Sequence, residues 1–420
     1  MYHQNNRLNK ERKNIIMKKK CDGYELIVGI PSYMEADNIS DVTRKVDIGL
    51  VKYFSNLKAV IVNVDNNSED NTKEAFLSTE TKTPKKYITT PKGIRGKGNN
   101  FFNLFKFAKT HLSTLKGGIV VDADLKSINP EWIKFLGDPI INMGFDYALP
   151  RYSRHQFDGS ITNHICYPLL YGLLGKDLRQ PIGGEFAFSS SMIDYWLSKK
   201  WIPTTKQYGI DIFMTMGAVF GKFKICEVIL GAKIHKASAP KLGAMFTQVI
   251  TTFFEMILVR KSEWIGIPIG ELNKCPQFGM KKISHPQELK IDIRELKHKL
   301  RIEYHQRENL LKRYLNAYSI HCLDKMFHED YYNMGILIWT QIMYQLLFYY
   351  DIGSKKMKKD IVEALKPLYF VRSVTFDYQS WRYNINYAED TILEQAKAFA
   401  SQKPYFIGLY MKMAYENDAV

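Results

Sequence analysis

Two aspartates one residue apart end an apolar run in the segment GGIVVDAD, residues 117–124. Because alternate side chains of an extended chain point to the same side, Asp122 and Asp124 can both face one divalent cation or a water molecule bound to it. Magnesium or manganese held in this way would grip the diphosphate of a substrate. A solvated loop pair is the other interpretation of Asp-x-Asp, so the motif gains meaning only from the residues that join it.

A basic, glycine-rich segment, TTPKGIRGKGNNF at residues 89–101, precedes a stretch with helical periodicity. Glycines such as Gly96 let backbone N–H groups approach a phosphate closely, and Lys97 and the start of the helix add positive potential. The segment therefore suits a nucleotide diphosphate, although an ordinary basic surface turn has the same composition. It lacks the G-x-x-x-x-G-K-[ST] spacing, which excludes a P-loop NTPase.

Three further motifs carry polar groups in apolar surroundings. The segment RQPIGGEFAF (179–188) contains Gly183 and Gly184, which let a backbone lie against a sugar, and Glu185, which can accept hydrogen bonds from hydroxyl groups. Asp211 starts an apolar helix, where an acid is also a good N-terminal residue. His235 ends a strand-like run and is a candidate metal ligand, or a structural histidine.

The elements that must position these residues can be predicted from the periodicity. Apolar runs typical of strands alternate with helical stretches from residue 24 to about residue 235, which predicts an α/β fold with a largely parallel, Rossmann-like sheet. The first three runs end at Tyr33, Asp65 and Asp122, and ligands of such sheets bind at the carboxyl ends of the strands. We expect a basic flexible tail at 1–22, a ligand-binding domain at 23–260 and a mainly helical C-terminal region at 261–420.

Length and composition limit the class of protein. The chain has 420 residues, 45% of them hydrophobic, as in a folded protein. The five cysteines are scattered and include no CxxC pair, so neither a disulfide framework nor a zinc site is indicated. The absence of a disulfide pattern favours a reducing, cytoplasmic location. The net charge of +16 would concentrate anionic ligands, but the basic stretch 281–313 is interspersed with acids, so we expect no nucleic acid partner.

The uncharged segment 331–350 is the candidate for a membrane span. Polar residues interrupt it, and Trp339, Met343 and Leu346 recur at helical spacing. This pattern favours a core or subunit-interface helix, so we expect no integral membrane span and consider a homodimer reasonable.

The order of the motifs resembles the GT-A glycosyltransferases that make sugar glycerates, among them mannosylglycerate synthase and glucosyl-3-phosphoglycerate synthase. The resemblance covers about residues 25–260 and is carried by the segments PSYMEADNI, VDNNSEDNT, GIRGKGNN, VVDADLKSINPEW, RQPIGGEF, YGID and IHK. A weaker likeness to mannosylglycerate synthase continues into the C-terminal helical region around FVRSVTFDYQSWRYNINYAED. It implies a GT-A fold and a divalent cation, Mg²⁺ or Mn²⁺. Met34 and Asn99 depart from the family pattern, where relatives commonly have a small polar residue and an acid, respectively.

The resemblance also implies roles for individual residues. Those expected to bind the nucleotide-sugar are Pro31, Tyr33, Glu35, Asp65, Gly96, Lys97, Asp122, Ala123 and Asp124. Those expected to line the donor sugar and the reacting carbon are Gly183, Gly184, Glu185 and Asp211. Asp124 and His235 would be the metal ligands.

The segment PRYSRHQFDGSITN (150–163) occupies the place where this family binds its acceptor. Arg151 and Arg154 can clamp an anion, and Thr162 and Asn163 can hydrogen-bond a carboxylate or phosphate. Arginines that merely coat the surface are the other interpretation.

These features predict a metal-dependent, retaining glycosyltransferase. By resemblance, it moves a hexose from GDP-mannose, GDP-glucose or UDP-glucose to D-glycerate or 3-phosphoglycerate. One alternative is a transferase that acts on a polyprenyl phosphate or a membrane glycan. Another is a non-catalytic nucleotide-sugar-binding module, which metal-dependent hydrolysis of a nucleotide-sugar would exclude.

Overall fold

The computed structural model describes residues 23–236, 242–268, 272–281, 286 and 293–418. The strands are β1 (Leu26–Ser32), β2 (Ala59–Asp65), β3 (Lys85–Thr89), β4 (Gly117–Val120), β5 (Tyr147–Ser153), β6 (Lys176–Asp177), β7 (Phe186–Ser189), β8 (Ile225–Ala232), β9 (Asn273–Lys274) and β10 (Gln277–Gly279). The helices of the first half are α1 (Ile39–Tyr53), α2 (Thr72–Ser78), α3 (Lys97–Lys109), α4 (Pro130–Ile141), α5 (Tyr167–Leu174), α6 (Ser190–Leu197) and α7 (Ile210–Phe220). A π-helical turn, Thr162–Cys166, leads into α5.

The helices that follow are α8 (Leu242–Val259), α9 (Lys261–Ile265), α10 (Ile293–His305), α11 (Glu308–Tyr314), α12 (Ala317–His328), α13 (Ile336–Ile352), α14 (Lys355–Ser380), α15 (Ile385–Ser401) and α16 (Lys403–Asp418).

Most of the strands form one sheet in the order β10-β8-β5-β7-β4-β1-β2-β3. The chain leaves β1 towards β2 and β3 on one side and then returns to β4 on the other side of β1, with all these neighbours parallel. Strand β7 is antiparallel to both β4 and β5. The strand order therefore reverses between β1 and β4, which places the loops after these two strands side by side.

The central strands are buried on both faces. Every residue of β1 and β2 is buried, because helices cover both sides of the sheet. Helix α1 packs on one side through Ile39, Val42, Val46 and Leu50, which recur at helical spacing. The Asn129 side chain caps α4 by accepting a hydrogen bond from the Trp132 N–H, and this cap ends the loop that follows β4.

The C-terminal helices share a hydrophobic core with the helices and strands of the first half. Buried residues of α5, α8, α13 and α14 belong to one contiguous cluster with residues of β2, β5 and β7. The two halves of the chain are therefore packed around a common apolar interior.

Among the described residues, one helix, α8, is long and apolar enough to cross a membrane. Phe246, Ile250 and Phe253 of α8 are buried in the core of the protein. The segment 331–350 largely forms α13, and the predicted stripe of Trp339, Met343 and Leu346 is buried, as expected of a core helix.

The expected fold class is confirmed: a mainly parallel α/β sheet is followed by a helical C-terminal region. Two features go beyond the expectation. Strand β7 runs antiparallel, and β10 joins the sheet although it lies after residue 260. The proposed tail, residues 1–22, lies outside the described residues.

Candidate active site

A cleft of about 1110 Å³ opens at the carboxyl edge of the sheet, where the strand order reverses between β1 and β4. Open α/β sheets bind ligands at such a switch point, because the loops after the two strands diverge there. Tyr33 and Glu35 after β1, and Asp122 and Asp124 after β4, line this cleft. The two strands therefore bring the first and the fourth motif of the sequence together.

Lys97, the first residue of α3, lies between two carboxylates in the cleft. Its Nζ is 3.0 Å from Asp122 Oδ1 and 3.3 Å from both carboxylate oxygens of Asp211. Burial alone would raise the pKa of Asp122, but Lys97 and Lys233 outweigh it and lower that pKa to about 2. Burial would also lower the pKa of Lys97, but Asp122 and Asp211 raise it. This side chain is therefore a fixed cation in the cleft.

Asp211 lies in the first turn of α7 and is buried. Burial raises its pKa, against the opposite effect of Lys97. Its Oδ1 lies 3.3 Å from Lys97 Nζ in an ion pair but accepts no hydrogen bond from the described residues. A buried carboxylate oxygen in this condition has capacity for a hydroxyl group of a ligand.

A second buried cation, Lys233, follows β8. Its Nζ is 2.8 Å from Glu185 Oε2 and 3.7 Å from Asp122 Oδ2. The Tyr152 hydroxyl donates to the same Glu185 oxygen at 2.5 Å. Burial raises the pKa of Glu185 to about 7, although Lys233 opposes the shift. Glu185 is fully buried beneath the cleft, so it acts on the cleft through Lys233.

The glycine pair before Glu185 makes room for these charges. Gly184 has φ +101°, and a Cβ there would lie 2.7 Å from Asp122 Oδ2 and 2.8 Å from Lys233 Nζ. A Cβ on Gly183 would lie 2.2 Å from Cγ of Pro150. Both glycines line the cleft, so their backbone is accessible to a ligand.

Asp124 and His235 both line the cleft, at the ends of β4 and β8. The Nδ1 of His235 is 2.7 Å from the Lys236 carbonyl oxygen, so Nδ1 carries the proton and donates, which leaves Nε2 free to bind a metal. Burial and Lys233 lower the pKa of His235, which favours the neutral ring that a metal requires.

The donor set fits a divalent cation that shares its ligands with a substrate. No cluster of three or more His, Cys, Asp or Glu side chains suited to a metal occurs within the described ranges. Asp124 and His235 are the candidate protein ligands for Mg²⁺ or Mn²⁺, a cation whose remaining positions diphosphate oxygens and water can fill.

The wall formed by the β1 loop combines an aromatic ring with charged groups. The Arg95 guanidinium lies 4.8 Å from the centre of the Tyr33 ring, and Pro31 lies beside it in the cleft lining. Lys236 Nζ is 2.7 Å from Glu35 Oε2 and so links the β8 loop to the β1 loop. Ala123 and Gly96 also line the cleft.

Asp65 is buried below this wall and does not line the cleft. It accepts hydrogen bonds from the Ser32 hydroxyl at 2.8 Å, the Ser68 N–H at 2.7 Å and the Tyr87 hydroxyl at 3.0 Å. Asp65 thus orders the loops after β1 and β2.

The loop after β5 contributes two of the four residues expected to bind the acceptor. Arg154 and Thr162 line the cleft, and Arg154 Nη1 is 3.0 Å from Asp158 Oδ2. Arg151 lies outside the cleft lining, with its Nη1 3.3 Å from Glu227 Oε2. Asn163 also lies outside it, where its Oδ1 accepts a hydrogen bond from Arg179 at 2.9 Å.

Several cleft residues were not among the expected ones. Lys233 and Lys236 belong to the GAKIHK segment, and Lys233 could have been chosen because it is two residues before His235, on the same side of an extended chain. Ser373 and Asp377 of α14 also line the cleft. No local pattern in the sequence indicates that α14 packs beside this sheet edge.

No protein-family model and no curated protein matches this chain. Among solved structures, it is similar to glucosyl-3-phosphoglycerate synthase from Mycobacterium tuberculosis in complex with Mn²⁺, UDP and glucosyl-3-phosphoglycerate, with 23% identity and a TM-score of 0.45. That match covers 56% of this chain and 80% of that chain. The same enzyme with Mn²⁺, UDP and phosphoglyceric acid has 22% identity and a TM-score of 0.44, over 59% of this chain and 81% of that chain.

A third structure, described as a mycobacterial protein, has 25% identity and a TM-score of 0.45, over 56% of this chain and 75% of that chain. The synthase is one of the two enzymes that the sequence motifs resemble.

Proposed function

We propose that the protein is a metal-dependent, retaining glycosyltransferase that moves a hexose from a nucleotide-sugar to D-glycerate or 3-phosphoglycerate. The observation that carries this proposal is the meeting of Lys97, Asp122, Asp124, Asp211 and His235 at one switch point of the sheet. These residues come from four separate segments of the sequence. A solvated loop pair at Asp122 and Asp124 does not account for their meeting.

The donor diphosphate fits the positive end of this cluster. Lys97 supplies a half-buried cation, and the start of α3 at Gly96 adds the partial positive charge of a helix N-terminus. When bound between Asp124 and His235, a divalent cation would neutralise charge on the leaving nucleotide diphosphate. Lys97 is positioned to stabilise the same charge as the bond to the sugar breaks.

The acceptor fits the loop after β5. Arg154 can pair with a carboxylate or phosphate, and the Thr162 hydroxyl can hydrogen-bond the same group. Holding the acceptor there would keep its hydroxyl close to the sugar carbon, which converts a bimolecular step into a local one. The choice of a glycerate-type acceptor comes from the resemblance of the motifs.

The stereochemistry of the proposed transfer also comes from that resemblance. An inverting reaction needs a placed general base, and Asp211 is the candidate among the motif residues. Its carboxylate oxygens are both 3.3 Å from Lys97 Nζ, a contact that favours an electrostatic role over proton abstraction.

The test is a matrix of GDP-mannose, GDP-glucose and UDP-glucose against D-glycerate and 3-phosphoglycerate with Mg²⁺ or Mn²⁺, read by product mass. We expect a glycosylated product that is lost in Asp124→Ala and retained in Asp194→Ala, a surface aspartate that pairs with Lys109. If a nucleotide-sugar binds with metal but no pair reacts, the glycerate-type acceptor is wrong. Polyprenyl phosphates and glycans are then the acceptors to assay.

A further inference from the structure

One face of α14 forms a wall of the cleft that the sheet does not provide. Its cleft-lining residues recur at helical spacing and are Lys366, Phe370, Ser373 and Asp377. The loop after β5 runs along the same helix: Gln156 Nε2 donates to the Ser380 carbonyl at 3.0 Å, and the hydroxyls of Ser160 and Tyr369 are hydrogen-bonded. The C-terminal region therefore meets the cleft at its proposed acceptor end.

Asp377 is the unusual residue of this wall. Its side chain faces the cleft and is 5% exposed, yet it makes no hydrogen bond or ion pair with any other residue that the structure describes. The charged neighbour on its own helix is Arg372, which is fully buried and donates to Gln395 Oε1 at 2.7 Å and to the Met334 carbonyl at 3.2 Å. A buried carboxyl group without a partner is costly unless a ligand satisfies it.

The protonation of Asp377 indicates what kind of group it can accept. Burial raises its pKa to about 7, although Arg372 opposes the shift, so the acid and the carboxylate forms are both populated near neutral pH. A hydroxyl group can donate to the carboxylate or accept from the acid. A phosphate or carboxylate next to Asp377 would instead be repelled by its charged form.

Ser373, one turn earlier, adds a second polar group. Its hydroxyl donates to the Tyr369 carbonyl at 3.1 Å, which leaves its oxygen able to accept from a ligand. The wall thus complements Arg154: a cation holds the anionic end of a small molecule, and a carboxyl and a hydroxyl hold a neutral end.

We propose, resting on the proposed function, that Asp377 and Ser373 bind the non-reacting hydroxyl of the acceptor and so select D-glycerate over acceptors whose end lacks that hydroxyl or carries a phosphate. The helical C-terminal region then contributes directly to acceptor specificity. A site built to hydrogen-bond a substrate hydroxyl discriminates strongly against the analogue without it.

The test compares kcat/KM for D-glycerate, D-lactate and 3-phosphoglycerate in the wild type, Asp377→Ala and Asp377→Asn. The control is Asp390→Ala, which removes an exposed carboxylate from α15. We expect the wild type to prefer D-glycerate over D-lactate by at least about 100-fold, and Asp377→Ala to reduce this preference to about tenfold or less. Asp377→Asn should improve the relative use of 3-phosphoglycerate, and the control Asp390→Ala should leave hydrolysis of the nucleotide-sugar without acceptor unchanged.

Each other outcome identifies what is wrong. An unchanged preference in both variants, or an equal loss for every acceptor and for donor hydrolysis, overturns the specificity role of Asp377. Hydrolysis of the donor without transfer to any of the three acceptors overturns the inference that Asp377 and Ser373 bind an acceptor hydroxyl. It leaves the nucleotide-sugar donor of the proposed function standing. Absence of both donor binding and hydrolysis overturns the proposed function and this inference together.

Discussion

At the level of single residues, the cleft depends on alternating buried charges. Each of two lysines in the cleft lies between two carboxylates. Lys233 lies between Glu185 and Asp122, and Lys97 lies between Asp122 and Asp211. A buried charge is tolerated only when an opposite charge or a hydrogen bond compensates it. Removal of one of these groups therefore leaves its neighbours uncompensated and destabilises the site. Single substitutions here should therefore affect ligand binding far more than surface substitutions do.

The first prediction concerns Lys97. Lys97→Met removes the cation proposed to face the diphosphate, and truncation of one partner of a buried charge pair costs about 2–5 kcal/mol. We expect the affinity for UDP or GDP with Mn²⁺ to fall by at least about 30-fold, measured by calorimetry. Lys109→Met, on the exposed end of the same helix, is the control and should bind as the wild type does. Wild-type affinity in Lys97→Met would exclude Lys97 from the diphosphate site.

The second prediction concerns Gly184. Gly184→Ala places a Cβ against Asp122 and Lys233 at a positive φ, whereas Gly144→Ala has the same kind of φ, +70°, with no atom within 4 Å. Both variants should lose about 1 kcal/mol from backbone strain in urea unfolding. Gly184→Ala alone should also lose nucleotide binding. Equal nucleotide binding in the two variants would mean that Gly184 matters only for its backbone.

The third prediction is a pH dependence at Asp377. Its pKa is about 7 in the folded protein, against a usual value of 3.8, so the folded state holds the proton over a range where the unfolded state has lost it. The contribution of this group to stability therefore falls as pH rises from about 4 to about 7, and is constant above that. The charged or titratable groups that interact with it are Arg372 and Tyr369, both on its own helix.

Asp377→Asn cannot titrate, which isolates this effect. We expect the Tm of the variant, relative to the wild type, to be higher at about pH 8 than at about pH 4.5. Differential scanning calorimetry at both pH values measures the difference, with Asp390→Asn as the matched control. A difference that does not change with pH would show that Asp377 titrates as an ordinary aspartate.

At the level of secondary-structure elements, the sequence predicted the strands that carry the motifs and missed those that position them. The runs of β1, β2 and β4 are mainly apolar and wholly buried, as expected of strands covered on both faces, and β8 is mainly apolar but contains Glu227. Strand β7 is only four residues long and begins directly after Glu185, so its periodicity is too short to indicate a strand or its direction.

The candidate site was predictable where residues are close in sequence or end a strand. Asp122, Asp124 and His235 follow from strand ends that share one edge of the sheet, and the cleft lining includes all three. Arg151 could not be separated from Arg154 by residue type, because only the pairing of β5 with β8 directs Arg151 to Glu227. Asp377 lies 142 residues after His235, the last of the candidate site residues in the sequence, and only long-range packing brings it to the cleft.

The fourth prediction concerns the contact between α15 and the acceptor loop. Arg179 donates from Nε and Nη2 to the carboxylate of Glu389 at 2.9 and 2.7 Å, and from Nη2 to Asn163. Glu389→Gln leaves the buried Arg179 without its charged partner, which should cost about 1–3 kcal/mol of unfolding free energy in urea. Asp390→Asn, one residue away and exposed, should change it by less than about 0.5 kcal/mol.

The same variant tests the use of the acceptor separately from the use of the donor. Because Asn163 lies next to Thr162 in the π-helical turn, Glu389→Gln should raise the KM for the acceptor and leave hydrolysis of the nucleotide-sugar unchanged. Equal losses in both activities would indicate a general effect on folding rather than on the acceptor loop.

At the level of the whole molecule, the sheet and the C-terminal helices pack around one hydrophobic core. A Cβ on Gly172 of α5 would lie 2.7 Å from the Cβ of Phe399 in α15, so these two helices are in close contact. Lys403, at the start of α16, is buried and donates to the carbonyls of Leu173, Trp264 and Ile267 at 3.1, 2.6 and 2.9 Å. Carbonyls at the ends of α5 and α9 thus find their partner in α16.

The last prediction follows from this shared interior. A fragment that ends at residue 260 keeps every expected site residue and lacks the α14 wall. It also exposes α5, whose eight residues are all buried in the full chain. Exposure of this apolar helix to water would remove a large part of the stabilisation of the sheet, because each Å² of buried apolar surface contributes about 25 cal/mol. We therefore expect the fragment to aggregate or to lack a cooperative thermal transition, and the full chain to unfold in one transition by calorimetry. A soluble fragment that unfolds cooperatively and binds UDP or GDP would show instead that the helical region is a separate domain, whose contribution is limited to the acceptor.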